Sequence, residues 1–152
     1  MKKIILVVLL VFAAQVASYA DESPQVSDFE NKNKDSKAIF LLKSINIQVN
    51  EDWSYVTHVH KIIKIFKEEA KDLGEIPIEY QSSVDKFGKV KAFTLTPDGK
   101  KHHYTKIQDI KINDSQMYSD SMVKIITLPE VNIGSILDHE YTITSKDLQN
   151  CG

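Results

Sequence analysis

Met117–Ile143, MYSDSMVKIITLPEVNIGSILDHEYTI, decides the fold class of this chain. It holds two strand-like runs, Met122–Leu128 and Ile136–Ile143. The break between them, Pro129–Ser135, has a proline at one end and a glycine near the other. β-Branched and aromatic residues dominate both runs, as suits a pleated, half-buried surface.

The same pattern recurs upstream. Ile45, Ile47 and Val49 alternate with Ser44, Asn46 and Gln48, which predicts a half-buried strand within Ala38–Val49. Asn50–Asp52 is turn material, and Trp53–Phe66 resumes in strand-forming residues. The two segments read as an antiparallel hairpin, with Val59, Ile63 and Ile65 on one face of the second strand and His58, His60, Ile62 and Phe66 on the other. A helix through Val56–Phe66 is the alternative, and the β-branched content weighs against it. Lys67–Leu73 reads as a short helix stopped by Gly74. Ile76–Tyr80 alternates again, and Pro77 places it at a sheet edge or a strand start. Ser82–Lys89, with Gly88, reads as a turn before a strand at Val90–Thr96. Pro97-Asp98-Gly99 is a strong turn signal. Lys100–Lys106 reads as a strand or extended arm, Gln108–Ile112 as a short extended stretch and Asn113–Ser119 as a polar loop.

Seven or so short strands and one small helix predict a mainly β domain: an antiparallel β-sandwich or open barrel over residues 38–144. Residues 1–20 read as a signal peptide, with Lys2 and Lys3 ahead of the apolar run Ile4–Ala14. Ser18-Tyr19-Ala20 supplies the small residues that place cleavage between Ala20 and Asp21. The apolar run is too short to span a bilayer, so no transmembrane segment is expected after cleavage. Residues 21–37 are polar and read as a flexible lead-in, with Val26 and Phe29 able to pin a helical turn; residues 145–152 read as a polar tail.

Composition narrows the function. The 152 residues carry a formal charge of −2, and all 19 basic residues are lysine. Without arginine or a basic surplus the chain lacks the footprint of nucleic-acid recognition. The lone cysteine, Cys151, excludes an internal disulfide and lies in the polar tail, where a catalytic pocket is not expected. His58 and His60 are two apart and share a strand face, an arrangement that with His102 or His103 and Glu140 is raw material for a metal site. Histidines on the wetter face of a strand account equally well for these and for His139, and no metal or other cofactor is assigned. Asp98 belongs to a turn and Asp120 to a strand entry. Asp138 and Glu140 share one face of the last strand, where pairing with lysines across the sheet suffices. No phosphate-cradling glycine loop, nucleophile elbow or H-E-x-x-H helix occurs.

An ordered series of segments resembles a known family. They are THVHKIIKIF within Val56–Phe66, Ile78-Glu79-Tyr80, VKAFTLTPDG at Val90–Gly99, Ile107–Ile110, Met117-Tyr118-Ser119-Asp120, VKIITLP at Val123–Pro129 and VNIGSILDHEY at Val131–Tyr141. Together they resemble the domain of unknown function 3857, found in exported bacterial proteins, often ahead of a transglutaminase-like domain. The resemblance implies a β-rich fold and no catalytic residues. It also implies that the chain stops before the family's last strands, which would leave Ile136–Ile143 as an unpaired edge. Ile136, Asp138, Glu140 and Tyr141 are then the residues expected to meet a ligand by strand addition. The expected function is an exported, periplasmic or extracellular, non-catalytic module that binds a protein or cell-envelope component. The alternative is a fragment of a transglutaminase-like or cysteine-peptidase-like enzyme whose catalytic domain lies outside this chain.

Overall fold

The structure, a computed structural model, describes residues 24–112 and 120–146, with side chains from residue 28. The signal peptide with its Ala20–Asp21 cleavage point, the loop Asn113–Ser119 and Cys151 lie outside the described residues. The chain divides into a leading unit ending at Lys34 and a β unit from Asp35 onward. In the leading unit, part of the polar lead-in forms helix α1, Pro24–Asn33. Proline suits a first helical position because its missing N–H has no intrahelical partner there. The Asn33 side-chain amide donates to the Phe29 carbonyl at 2.7 Å within the last turn.

The β unit holds eight described strands: β1 Ala38–Val49, β2 Tyr55–Ile65, β3 Glu75–Gln81, β4 Asp85–Leu95, β5 Lys101–His103, β6 Lys106–Lys111, β7 Ser121–Thr127 and β8 Ile136–Ser145. They form two antiparallel sheets, a five-stranded one in the order β1-β2-β8-β4-β5 and a three-stranded one in the order β3-β7-β6. The architecture is open: neither sheet closes on itself or joins the other. The two sheets share one core. Val59, Ile63 and Ile65 of β2, Ala92 of β4 and Leu137 and Tyr141 of β8 meet Ile76 and Ile78 of β3 and Ile126 of β7. Ile65, Ile126 and Leu137 are fully buried. Each contributes roughly 1.5–3 kcal/mol by leaving water. Lys67–Leu73, read as a helix from sequence, is a 3-10 helix over Glu68–Gly74 whose Ala70 joins the core.

The β1–β2 hairpin runs in the expected register, Val49 opposite Tyr55 and Ile45 opposite Val59. Pro77 lies on β3, an edge strand, as its missing N–H requires. Gly99 takes φ 81° in the Pro97–Gly99 turn, and its N–H donates to the Thr96 carbonyl at 2.8 Å.

Four expectations change. First, Ser82–Lys89 is only partly a turn. Asp85 accepts the Gln81 N–H at 2.8 Å, which closes the turn early, and β4 starts at Asp85. Gly88 sits in an irregularity of β4 between Phe87 and Val90, where the register against β8 shifts. Second, Lys100–Lys106 is not one strand. Tyr104 donates to Ala92 of the five-stranded sheet and Thr105 to Thr127 of the other, each at 3.1 Å, so the chain changes sheets there. Third, Ile45, Ile47 and Val49 are not half-buried; they are 53%, 63% and 53% exposed. Fourth, Ile136–Ile143 is not an edge. β8 is hydrogen-bonded to β2 along one side and to β4 along the other, so Ile136, Asp138, Glu140 and Tyr141 lie mid-sheet. Their backbone groups are satisfied within the fold, which removes them as a site for strand addition.

The two runs of the opening stretch thus serve different sheets. Gly134, at φ 84°, turns the chain between them. Its N–H donates to the Ile65 carbonyl at 2.8 Å, and Ile65 donates to the Ser135 carbonyl at 2.9 Å, which extends the β2–β8 ladder.

Candidate functional site

Because side chains alternate along a strand, β2 and β8 each present one row to the core and one to solvent. The solvent row brings together four residues that the sequence singled out. His58 Nε2 donates to Glu140 Oε1 at 2.7 Å, and His60 Nε2 to Asp138 Oδ1 at 3.0 Å. Lys91 of β4 donates to Glu140 Oε2 at 3.2 Å from the other side. The His58 hydrogen bond, then that of Lys91, hold the Glu140 carboxyl below the usual glutamate range. This is a cross-strand hydrogen-bonded ladder, partly open to water.

The histidine-based metal arrangement is only half assembled. His58 and His60 do share a face with Glu140. His102 and His103 lie on β5, which pairs with β4 and not with β8. Two strand spacings, about 10 Å, therefore separate β5 from β8. Among the described residues, no group of three or more histidine, cysteine or carboxylate side chains is placed to hold a metal ion. His103 instead packs edge-on against Phe93, with ring centroids 6.1 Å apart.

His139 points the other way, into the core. It is 2% exposed, and neither ring nitrogen has a partner among the described residues. Burial, with smaller contributions from Lys61 and His60, lowers its pKa to about 4, so the ring is neutral at pH 7. Thr94 Oγ1 is likewise buried without a partner. Asp98 binds Lys100 at 2.8 Å and also accepts from Thr96, which hold it well below the carboxylate range; it fastens a turn. Asp120 accepts the Ser83 N–H at 3.2 Å and ties two loops together.

The sequence did not expose a groove between the two sheets. Its volume is about 440 Å³. Tyr55, Thr57 and Val59 of β2 and Tyr141, Ile143 and Ser145 of β8 form one wall, Pro77, Ile78 and Glu79 of β3 the other, and Asp85 stands at one end. The one related signal in the sequence was Pro77, which suited this segment to a sheet edge or a strand start.

A mainly apolar groove between two open antiparallel sheets, with a hydrogen-bonded ladder on the far face, defines a β-rich domain. The chain belongs to the DUF3857 family, described as a domain of unknown function with solved structure, whose model matches residues 51–149. No match is found among curated proteins. Among solved structures, the chain is similar to a crystal structure of a candidate protease from Parabacteroides distasonis ATCC 8503, with a TM-score of 0.68 and 18% identity. The match covers 74% of this chain and 24% of that one, so this chain spans about a quarter of that protein's length. At this identity the likeness is one of fold.

Proposed function

We propose that this chain is an exported, non-catalytic β-rich module that binds or positions a polypeptide or cell-envelope component. The observation that carries this reading is the coverage of the similar structure. The fold accounts for 24% of a longer protein described as a candidate protease, which is how an accessory domain is used. The chemistry-bearing side chains agree with it: His58, His60, Asp138 and Glu140 hydrogen-bond one another on an open sheet face. Export rests on the signal-peptide pattern of residues 1–20 and fits a periplasmic or extracellular location.

Hydrogen exchange on the purified chain, with and without cell-envelope fractions, tests the binding role. Protection of a strand edge by a fraction is expected, and no protection by any fraction contradicts it. Peptide hydrolysis or transamidation by the purified chain would contradict the non-catalytic part. The description of the similar protein also favours a second reading, an accessory domain of a peptidase or transglutaminase whose catalytic part is encoded elsewhere. A Cys…His…Asp domain immediately downstream in the genome is expected on that reading, and an unrelated downstream frame sinks it.

A further inference from the structure

The five-stranded sheet is two strands wider than the three-stranded sheet that covers it. At strand spacing this leaves about 10 Å of core-side surface without a cover. The shortfall includes β1. Its core-side residues Ile45, Ile47 and Val49 continue the row of Val59, Thr57 and Tyr55 in register, yet all three are exposed. Tyr55, Thr57 and Val59, which line the groove opposite β3, are the register partners of these three residues.

β3 is the sheet edge that borders the groove. Its backbone is prepared in a particular way. Pro77 has no N–H, the Glu75 N–H bonds the Asp72 carbonyl, and the Gln81 N–H bonds Asp85. These alternate positions therefore face away from β7. Among the described residues, what remains on the free edge is the N–H of Glu79 and the carbonyls of Glu75, Pro77 and Glu79. Such an edge accepts more hydrogen bonds than it donates. Charge adds a second constraint. Glu75 and Glu79 flank Pro77 on the exposed row of β3. The groove is lined by Glu79 and Asp85 and by no lysine.

We propose that the free edge of β3 and the apolar row Ile45, Ile47 and Val49 of β1 together bind an extended polypeptide strand, apolar on one face and cationic on the other. The strand adds to β3 as a fourth strand of the smaller sheet. Its N–H groups donate to the waiting carbonyls. Its apolar side chains cover the β1 row, and its lysines or arginines pair across the strand with Glu75 and Glu79. Pro77 limits the edge to few donors, which blunts indiscriminate sheet growth while leaving this mode open. The inference rests on the reading of the chain as a binding module and names the partner class of that module.

The test is a fluorescence-anisotropy titration of the full chain. The probe is a labelled peptide of alternating lysine and valine, about eight residues long and so able to span β3. A glutamate–valine peptide of equal length is the control. The lysine–valine peptide is expected to bind and the control not to. Ile47→Asn and Glu79→Lys are each expected to weaken binding roughly tenfold without lowering Tm, because both side chains are exposed. Equal binding of the two peptides, no binding of the lysine–valine peptide, or binding unchanged in both variants overturns the proposal. So does a dimer in sedimentation that Ile47→Asn abolishes and that excludes the peptide, since the occupant is then a second copy. If the peptide fails while an envelope fraction still protects another edge, the groove is not the site and the module reading stands.

Discussion

His139 is the residue at which burial and chemistry conflict most directly. Its folded pKa, about 4, lies below the ordinary histidine value of 6.5, so the unfolded chain takes up this proton first. The stability linked to His139 is complete above pH 6.5 and is lost as pH falls through that value toward 4. The loss is on the order of 2–3 kcal/mol. His139→Leu, which fills similar volume without polar atoms, is expected to remove this acid-side loss, as seen in urea midpoints between pH 7 and pH 4.5. A variant that still loses the same stability over that range would show that another group carries it. Gly74 is constrained by space. A Cβ there would lie 2.7 Å from Val131 Cγ2 and 3.4 Å from the Leu128 carbonyl oxygen. Gly74→Ala is expected to destabilise by about 1–3 kcal/mol in the same measurement. The sequence marked Gly74 as a helix stop, and it does end the 3-10 helix. Its packing against Val131, 57 positions along the chain, had no local signature.

At the scale of elements, local pattern and tertiary cover separate. Alternation correctly places Val59, Ile63 and Ile65 on one face of β2 and His58 and His60 on the other, because the two-residue period is fixed by the backbone. The same alternation on β1 is equally clear, yet Ile45, Ile47 and Val49 remain exposed. Period reveals a face; it does not reveal whether a second layer reaches that face. Ile126→Ala, at the fully buried position near the end of β7, is expected to cost roughly 2–5 kcal/mol. Ile45→Ser on β1 is expected to stay within about 0.5 kcal/mol. Comparable losses at the two positions would mean that β1 is covered after all. On β3, Pro77→Val restores an edge N–H and is expected to increase self-association in sedimentation velocity. Unchanged sedimentation would show that Pro77 does not guard this edge.

At the scale of the whole molecule, the resemblance carried by VKAFTLTPDG, VKIITLP and VNIGSILDHEY identified the family, and short strands with frequent turns identified an antiparallel β fold. Strand order was not legible. β7 and β8 are consecutive strands with eight residues between them, yet they join different sheets, and no local feature of Pro129–Ser135 announces that crossing. The same blind spot made Ile136–Ile143 an expected edge, when pairing with β2 and β4 makes β8 the centre of its sheet. The candidate site was legible in its residues and not in its location. His58, His60, Asp138 and Glu140 are brought together as a hydrogen-bonded ladder. The open groove is bounded by residues, such as Thr57 and Ile78, that carry no chemical signal of their own.

The central claim is that this module has a closed centre at β8 and an open, binding-competent side at β3 and β1. Hydrogen exchange of the full chain with and without the lysine–valine peptide tests it most directly. The expected result is that β8 amides exchange slowest in both states and that the peptide slows the Glu79 amide. Fast, edge-like exchange along β8, or peptide protection that bypasses β3, would contradict it.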